Sequence, residues 1–266
     1  HYEPVFYSMM LYILILLFFQ STQESLGAIS WKFRQGTEFY IEETQRHLLV
    51  LPGSQLKAYM DYTQLWRYYP EKVQGDEVIL LATLERIRIN NPNEMGARAG
   101  ELLKQHENTK SRWKLTKQDA LWSLEPLENQ PQHAPPHLLS MGTSRWAMDS
   151  SPWVAEWPAP ANSPVPCKLV LTHTLKEQTA DRIQVRTRAE FQNTASEAGD
   201  YKQVTLKSQP APLQGLGDYD RNRERWLYYE IWASVLWKLE NGSQRLEARQ
   251  DLYCNYRFHE KRPVFP

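Results

Sequence analysis

The most charged stretch of the chain, "GDYDRNRERW", sets Asp218, Asp220, Arg221, Arg223, Glu224 and Arg225 beside Trp226. Arginine offers a planar fork of donors and indole a stacking face, so Arg223, Arg225 and Trp226 could together hold an anion or a carbohydrate. The competing reading is a solvated loop leading into a strand, since surface charges of mixed sign pair weakly. His133 and His137 are four apart, a spacing by which a helix shares a metal, but Pro135 and Pro136 between them forbid a regular helix. Glu42–Glu43 and Asp76–Glu77 set carboxylates side by side without the alternating oxygen spacing of a calcium loop. His47 and His173 sit in alternating runs, where histidine reads as a half-exposed strand residue before it reads as a base. No GxSxG, HExxH, Walker loop, GxGxxG or CxxC occurs. No nucleophile with a placed base is defined, and the expectation is a non-catalytic protein without metal or cofactor.

The elements that must position these residues are strands. In "DRIQVRTRAEF", Ile183, Val185, Thr187, Ala189 and Phe191 share one parity, while Arg182, Gln184, Arg186, Arg188 and Glu190 share the other. A side-chain period of two gives a ribbon with one apolar and one wetted face. The same alternation runs through "QLKAYMDYTQLWRYY", "CKLVLTHTL", "YKQVTLKS" and "RWLYYEIWASVLWKLE". "GDEVILLATLERIRIN" follows a Gly75–Asp76 turn signal, and its centre is apolar on both parities, which predicts cover on both faces. Trp31 with Phe33, then Phe39 with Ile41, predict a hairpin about Gln35–Gly36. Asn241–Gly242 predicts another, ahead of a run in which Leu246, Ala248, Leu252, Cys254, Tyr256 and Phe258 face inward. Between 92 and 107, Met95, Ala99, Leu102 and Leu103 recur at helical intervals and predict a short helix. Trp113 with Leu115 and Leu121 with Leu124 flank a polar "KQDA" turn. The proline-rich stretch 126–166, with Trp146, Trp153 and Trp157, reads as an irregular connector that packs its indoles on a sheet.

The expected fold is mainly β: two antiparallel curved sheets, as half-barrel or sandwich halves, over residues 29–125 and 167–266. Thirty-one Lys plus Arg balance thirty-one Asp plus Glu, so no general positive field draws phosphate backbones and nucleic acid is not the expected partner. Residues 1–28 read as a hydrophobic helix, either a signal peptide cleaved near Ala28 or a signal anchor. Val5–Phe19 holds a short apolar run around "LYILILLFF". The protein is therefore expected to be exported, or held to a membrane through this segment alone. Cys167 and Cys254 could pair in an oxidising compartment or remain as buried thiols.

At "WKFRQGTEFYIEE" the chain resembles domains of unknown function in exported proteins of planctomycetes and related bacteria, which open on a Trp-Lys-Phe/Leu-x-x-Gly-x-x-Phe/Tyr strand pair. "LWRYYPEKVQGDEVILLATLERIRI" and "VLWKLENGSQRLEARQDLYCNYRF" are similar to later strands of that class. The resemblance implies a β-rich exported domain and brings no catalytic residues.

Concave aromatic faces of curved sheets suit an apolar ligand. Trp66, Tyr68, Trp226, Tyr228 and Trp232, with Arg223 and Arg225, are the expected ligand-binding residues. The partner is then an apolar small molecule or an envelope protein. The alternative is a membrane-anchored accessory subunit of a larger complex.

Overall fold

The computed structural model describes residues 31–50, 57–91, 100–118, 121–127, 152–158, 167–194, 203–209, 213–241 and 244–265. The expected leader and His133 with His137 lie outside these residues, as do most of the proline-rich stretch and Gly242–Ser243. Twelve strands follow in chain order: β1 (Phe39–Val50), β2 (Lys57–Gln74), β3 (Glu77–Ile89), β4 (Lys110–Gln118), β5 (Leu121–Pro126) and β6 (Trp153–Pro158), then β7 (Cys167–Gln178), β8 (Arg182–Asn193), β9 (Gln203–Gln209), β10 (Gly215–Asp220), β11 (Arg225–Asn241) and β12 (Gln244–His259). Among the described residues no helix is long and apolar enough to cross a membrane.

The strands form one antiparallel sheet, ordered β5-β4-β3-β2-β1-β12-β11-β10-β8-β7-β6, with β9 beside β11. The two expected sheets are therefore one. Their junction is the ladder in which Tyr40 pairs with His259 and Val50 with Arg249, joining the first described strand to the last. β9 and β10 pair with successive stretches of β11, Glu240–Ser234 and Tyr229–Arg225, and so occupy one interrupted strand position. The sheet is open at β5 and β6. Each ends on a proline, Pro126 and Pro158, which an edge tolerates because it removes a ladder donor. β6 lies in the stretch expected to be irregular, a correction.

The alternation of β8 holds in full: Ile183, Val185, Thr187, Ala189 and Phe191 are buried, while Arg182, Arg186 and Arg188 are exposed. On β12, Ala248, Leu252, Cys254 and Tyr256 are buried and Arg249 and Arg257 exposed. On β3, Val78, Leu80, Ala82 and Leu84 are buried but Ile79 and Leu81 only partly so, less cover than the doubly apolar sequence predicts. Residues 31–34 are not a strand. They turn at residues 35–36, where Gly36 has φ +74°. Trp31 and Phe33 then fold back onto Phe39, with ring centroids 5.8 and 6.3 Å away. Within the expected helical segment, residues 100–104 are helical, and Leu103 packs against the core.

The curl of the sheet is set at β10. Tyr229 on β11 and His173 on β7 are three ladders apart, roughly 14 Å on a flat sheet at about 4.8 Å per ladder. Their ring centroids are 6.0 Å apart. The inner positions of β10 between them are Gly215 and Gly217. A Cβ at Gly217 would lie 2.6 Å from Val185 and 2.7 Å from Trp226, and one at Gly215 would lie 2.1 Å from the Glu230 carbonyl oxygen. The missing side chains let Val185 of β8 and Trp226 and Tyr229 of β11 close over β10.

No disulfide joins Cys167 to Cys254. Cys167 opens β7 and Cys254 lies in β12, with β11, β10 and β8 between them, so the pairing left open by the sequence is not made. Burial, assisted by the Glu43 carboxylate, pushes the Cys254 thiol up to about 12. A chromogenic thiol reagent is expected to react with neither cysteine in the native protein and with both after unfolding without reductant. Unfolded protein that yields no thiol would contradict this arrangement.

Candidate functional site

Phe39, Tyr68, Trp66, Phe258, Trp31 and Phe33 gather at one end of the inner face. Phe39 stands 5.2 Å from Tyr68 and 5.4 Å from Phe258, and Trp66 is 6.3 Å from Tyr68. The segment 31–36 is tied across this end by Lys32 N donating to Glu224 O at 3.1 Å and Gly36 N to Pro70 O at 2.9 Å. Aromatic faces thus plug one end of the curl.

Toward the Val50 end of β1 the inner face changes character. Glu43 is 1% exposed, in register with Gln64 on β2 and Tyr256 on β12. Gln45 donates its amide hydrogen to Glu43. The Gln45 carbonyl accepts the Tyr62 hydroxyl at 2.7 Å and lies 2.9 Å from His47 Nε2. The His47 ring stacks on Tyr62 with 6° between planes. Trp66 Nε1 donates to Gln64 Oε1 at 3.2 Å. Gln45, His47, Leu49, Met60, Gln64 and Ile89 are only half-buried, so a row of amide, imidazole and phenol groups faces the less covered end. Burial raises Tyr62, Tyr68 and Tyr256 well above the usual phenol range, with the Glu43 charge adding to it, so all three stay protonated.

A second inner group is enclosed in the C-terminal half. His173 Nδ1 lies 2.9 Å from Thr187 Oγ1, and Thr187 donates to the Tyr229 hydroxyl at 3.3 Å. The three are 3%, 0% and 2% exposed, which removes them from any dissolved substrate. Burial pushes His173 down to about 3 and His47 down to about 4, the Glu43 carboxylate partly opposing the latter. Both folded values lie below the unfolded one near 6.5, so the groups are indifferent above pH 6.5. As pH falls below it, the unfolded chain binds protons that the folded chain refuses. Urea midpoints are expected to fall between pH 7 and 5, each pKa unit being worth about 1.4 kcal/mol. The double variant His47→Gln/His173→Gln should show a shallower decline; equal slopes would refute the assignment.

The residues expected from sequence divide between the faces. Trp66, Tyr68 and Trp226 are buried on the inner face. Tyr228 and Trp232 are half-buried on the outer face, where Trp232 meets Tyr253 at 4.2 Å, Arg46 lies 5.1 Å over the Tyr253 ring and Tyr228 donates to Glu230 at 2.5 Å. The separation comes from an irregularity in the β10–β11 ladder: Tyr219 pairs with Trp226 but Asp218 with Tyr228, leaving Leu227 over. Arg223 lies in the turn 221–224 and contacts Asp220 and Glu260 at 3.7 and 3.6 Å. Arg225 pairs with Glu260 and lies 4.5 Å over the Phe258 ring. Both guanidinium groups are thus matched by carboxylates at the plugged end, rather than presented to an anion. Gln45, Tyr62 and Gln64 were not singled out in the sequence, and Glu43 was weighed there only beside Glu42 as a calcium ligand. Their signal is Glu43 and Gln45 on the same parity as Phe39 and Ile41, a carboxylate and an amide where alternation calls for apolar groups. Among the described residues no group of three or more His, Cys, Asp or Glu could hold a metal ion.

No protein-family model matches the chain, and no curated protein matches it in sequence. Among solved structures it is similar to a chain described under "lipid-protein interactions in lipovitellin", with a TM-score of 0.43 and 8% identity over 88% of this chain. It spans 26% of the length of that chain.

Proposed function

We propose that this is an exported, non-catalytic binding protein that holds an apolar small molecule against the inner face of its curled sheet. One observation carries the reading: the inner face is aromatic and apolar from Val78 through Ile41 and Tyr256 to Leu169, plugged at one end and only half-covered at the Leu49–Met60 end. An interior of this kind gains by removing an apolar chain from water at about 25 cal/mol per Å². The enclosure of His173 with Thr187 and Tyr229 supports a role without catalysis, and the apolar run at 5–19 supports export. Organic extraction of natively purified protein, followed by mass spectrometry, should release an apolar compound in stoichiometric amount. Extracts without one, together with no uptake of an apolar fluorophore, would sink the proposal.

A second reading is a membrane-anchored accessory subunit. It is favoured by the outer Trp232–Tyr253–Arg46 group, since half-exposed Trp, Tyr and Arg are typical anchors of protein interfaces. Sequencing the mature N-terminus separates the two, because a start near Ile29 removes the anchor.

A further inference from the structure

We infer that the bound molecule ends in an uncharged hydrogen-bonding head, a hydroxyl, ester or amide, seated among Gln45, Gln64 and His47 with its apolar chain along the inner face. This rests on the binding role proposed above and names the ligand class. Along β1, β2, β12 and β11 from Tyr229 onward, no inner position holds Lys or Arg; Arg46, Arg67, Lys238, Arg249 and Arg257 all occupy the other face. These strands therefore offer an anionic head no cation, whereas a carboxylate or phosphate needs charged donors to leave water. The half-buried polar groups they do offer are two amides and an imidazole, with the buried Tyr62 phenol behind them. Amides both donate and accept, and a neutral imidazole does the same through its two nitrogens. That is the complement of a hydroxyl, ester or amide, which also does both or accepts alone. The Glu43 carboxylate under Gln45 fixes the orientation of this amide by accepting its hydrogen, so the Gln45 carbonyl is turned toward Tyr62 and His47.

The test is displacement of N-phenyl-1-naphthylamine from the full chain by 1-monoolein, oleate and oleylamine, each below its aggregation concentration. Monoolein is expected to displace the probe at about tenfold lower concentration than either charged amphiphile, the worth of one well-made hydrogen bond. Gln64→Leu should keep probe binding and abolish the preference for monoolein, and Gln45→Leu serves as the second variant if thermal melting shows Gln64→Leu to be unfolded. Oleate or oleylamine performing as well as monoolein overturns this inference and leaves the binding role standing. Failure of the probe and of every amphiphile to bind overturns both.

Discussion

Gly215→Ala is expected to lower stability by about 3 kcal/mol or more, the upper end of what an added core methyl does. The new Cβ would lie 2.1 Å from the Glu230 carbonyl oxygen and 3.0 Å from its carbon, which are backbone atoms of a ladder and cannot swing aside. The control is Gly75→Ala. Gly75 has φ +55° but open space around its Cβ position, so only the left-handed conformation is penalised, at about 1–2 kcal/mol. Urea unfolding of both variants checks the contrast. If Gly215→Ala unfolds at the wild-type midpoint, β10 does not approach β11 this closely and the curl has another origin.

Trp237→Ala should be of similar or greater severity. Trp237 is fully buried, packs edge-on to Phe191, and donates from Nε1 to Gln250 Oε1 at 3.1 Å; Gln250 itself is 5% exposed. Removing the indole leaves a large cavity, at about 3–5 kcal/mol. It also takes the donor from a buried amide oxygen, a further effect of about 1–3 kcal/mol. The sum approaches the total stability of an ordinary domain, about 5–15 kcal/mol. Poor recovery of folded protein is therefore expected for Trp237→Ala. Trp237→Phe should fold with an intermediate loss. Leu216→Ala, at a 38% exposed side chain on β10, should stay within about 0.5 kcal/mol of wild type. Equal stability of Trp237→Ala and Leu216→Ala would remove Trp237 from the core.

Local alternation made the strands legible because burial of one face imposes it directly. Residues 182–191 follow it through, residues 248–257 follow it except at the buried Asn255, and the Gly75–Asp76 turn joins β2 to β3 as the sequence predicts. β10 was hidden. Two of its three inner positions are glycines and its outer ones are Leu216 and two aspartates, so "GLGDYD" shows no apolar parity, although it is a strand because Val185, Trp226 and Tyr229 fill the space the glycines leave. β6 was masked by its prolines, which signal an edge as readily as a loop. The division of Trp226 from Tyr228 was beyond reach, since a single irregularity in the ladder reverses the parity of everything after it. The merging of two halves into one sheet had no local signal at all, because the pairing of β1 with β12 depends on residues near opposite ends of the described chain. At the site, the aromatic plug was half visible through Trp66 and Tyr68. The amide row was missed because polar residues on an apolar parity read as interruptions until their partners are placed opposite them.

The β1–β12 ladder also dictates the order in which this chain can fold. During synthesis β1 emerges early, with one neighbour available in β2 and its other edge without a mate until β12 has left the ribosome. For all of that interval a long strand carrying Ile41 and Leu49 stands open to edge-to-edge association. Closing the ladder then brings together residues of very large sequence separation, and topologies of that kind fold slowly, in milliseconds to seconds. Until the last of the described strands arrives, the outer edge of β1 is therefore the place where a nascent chain is most open to association.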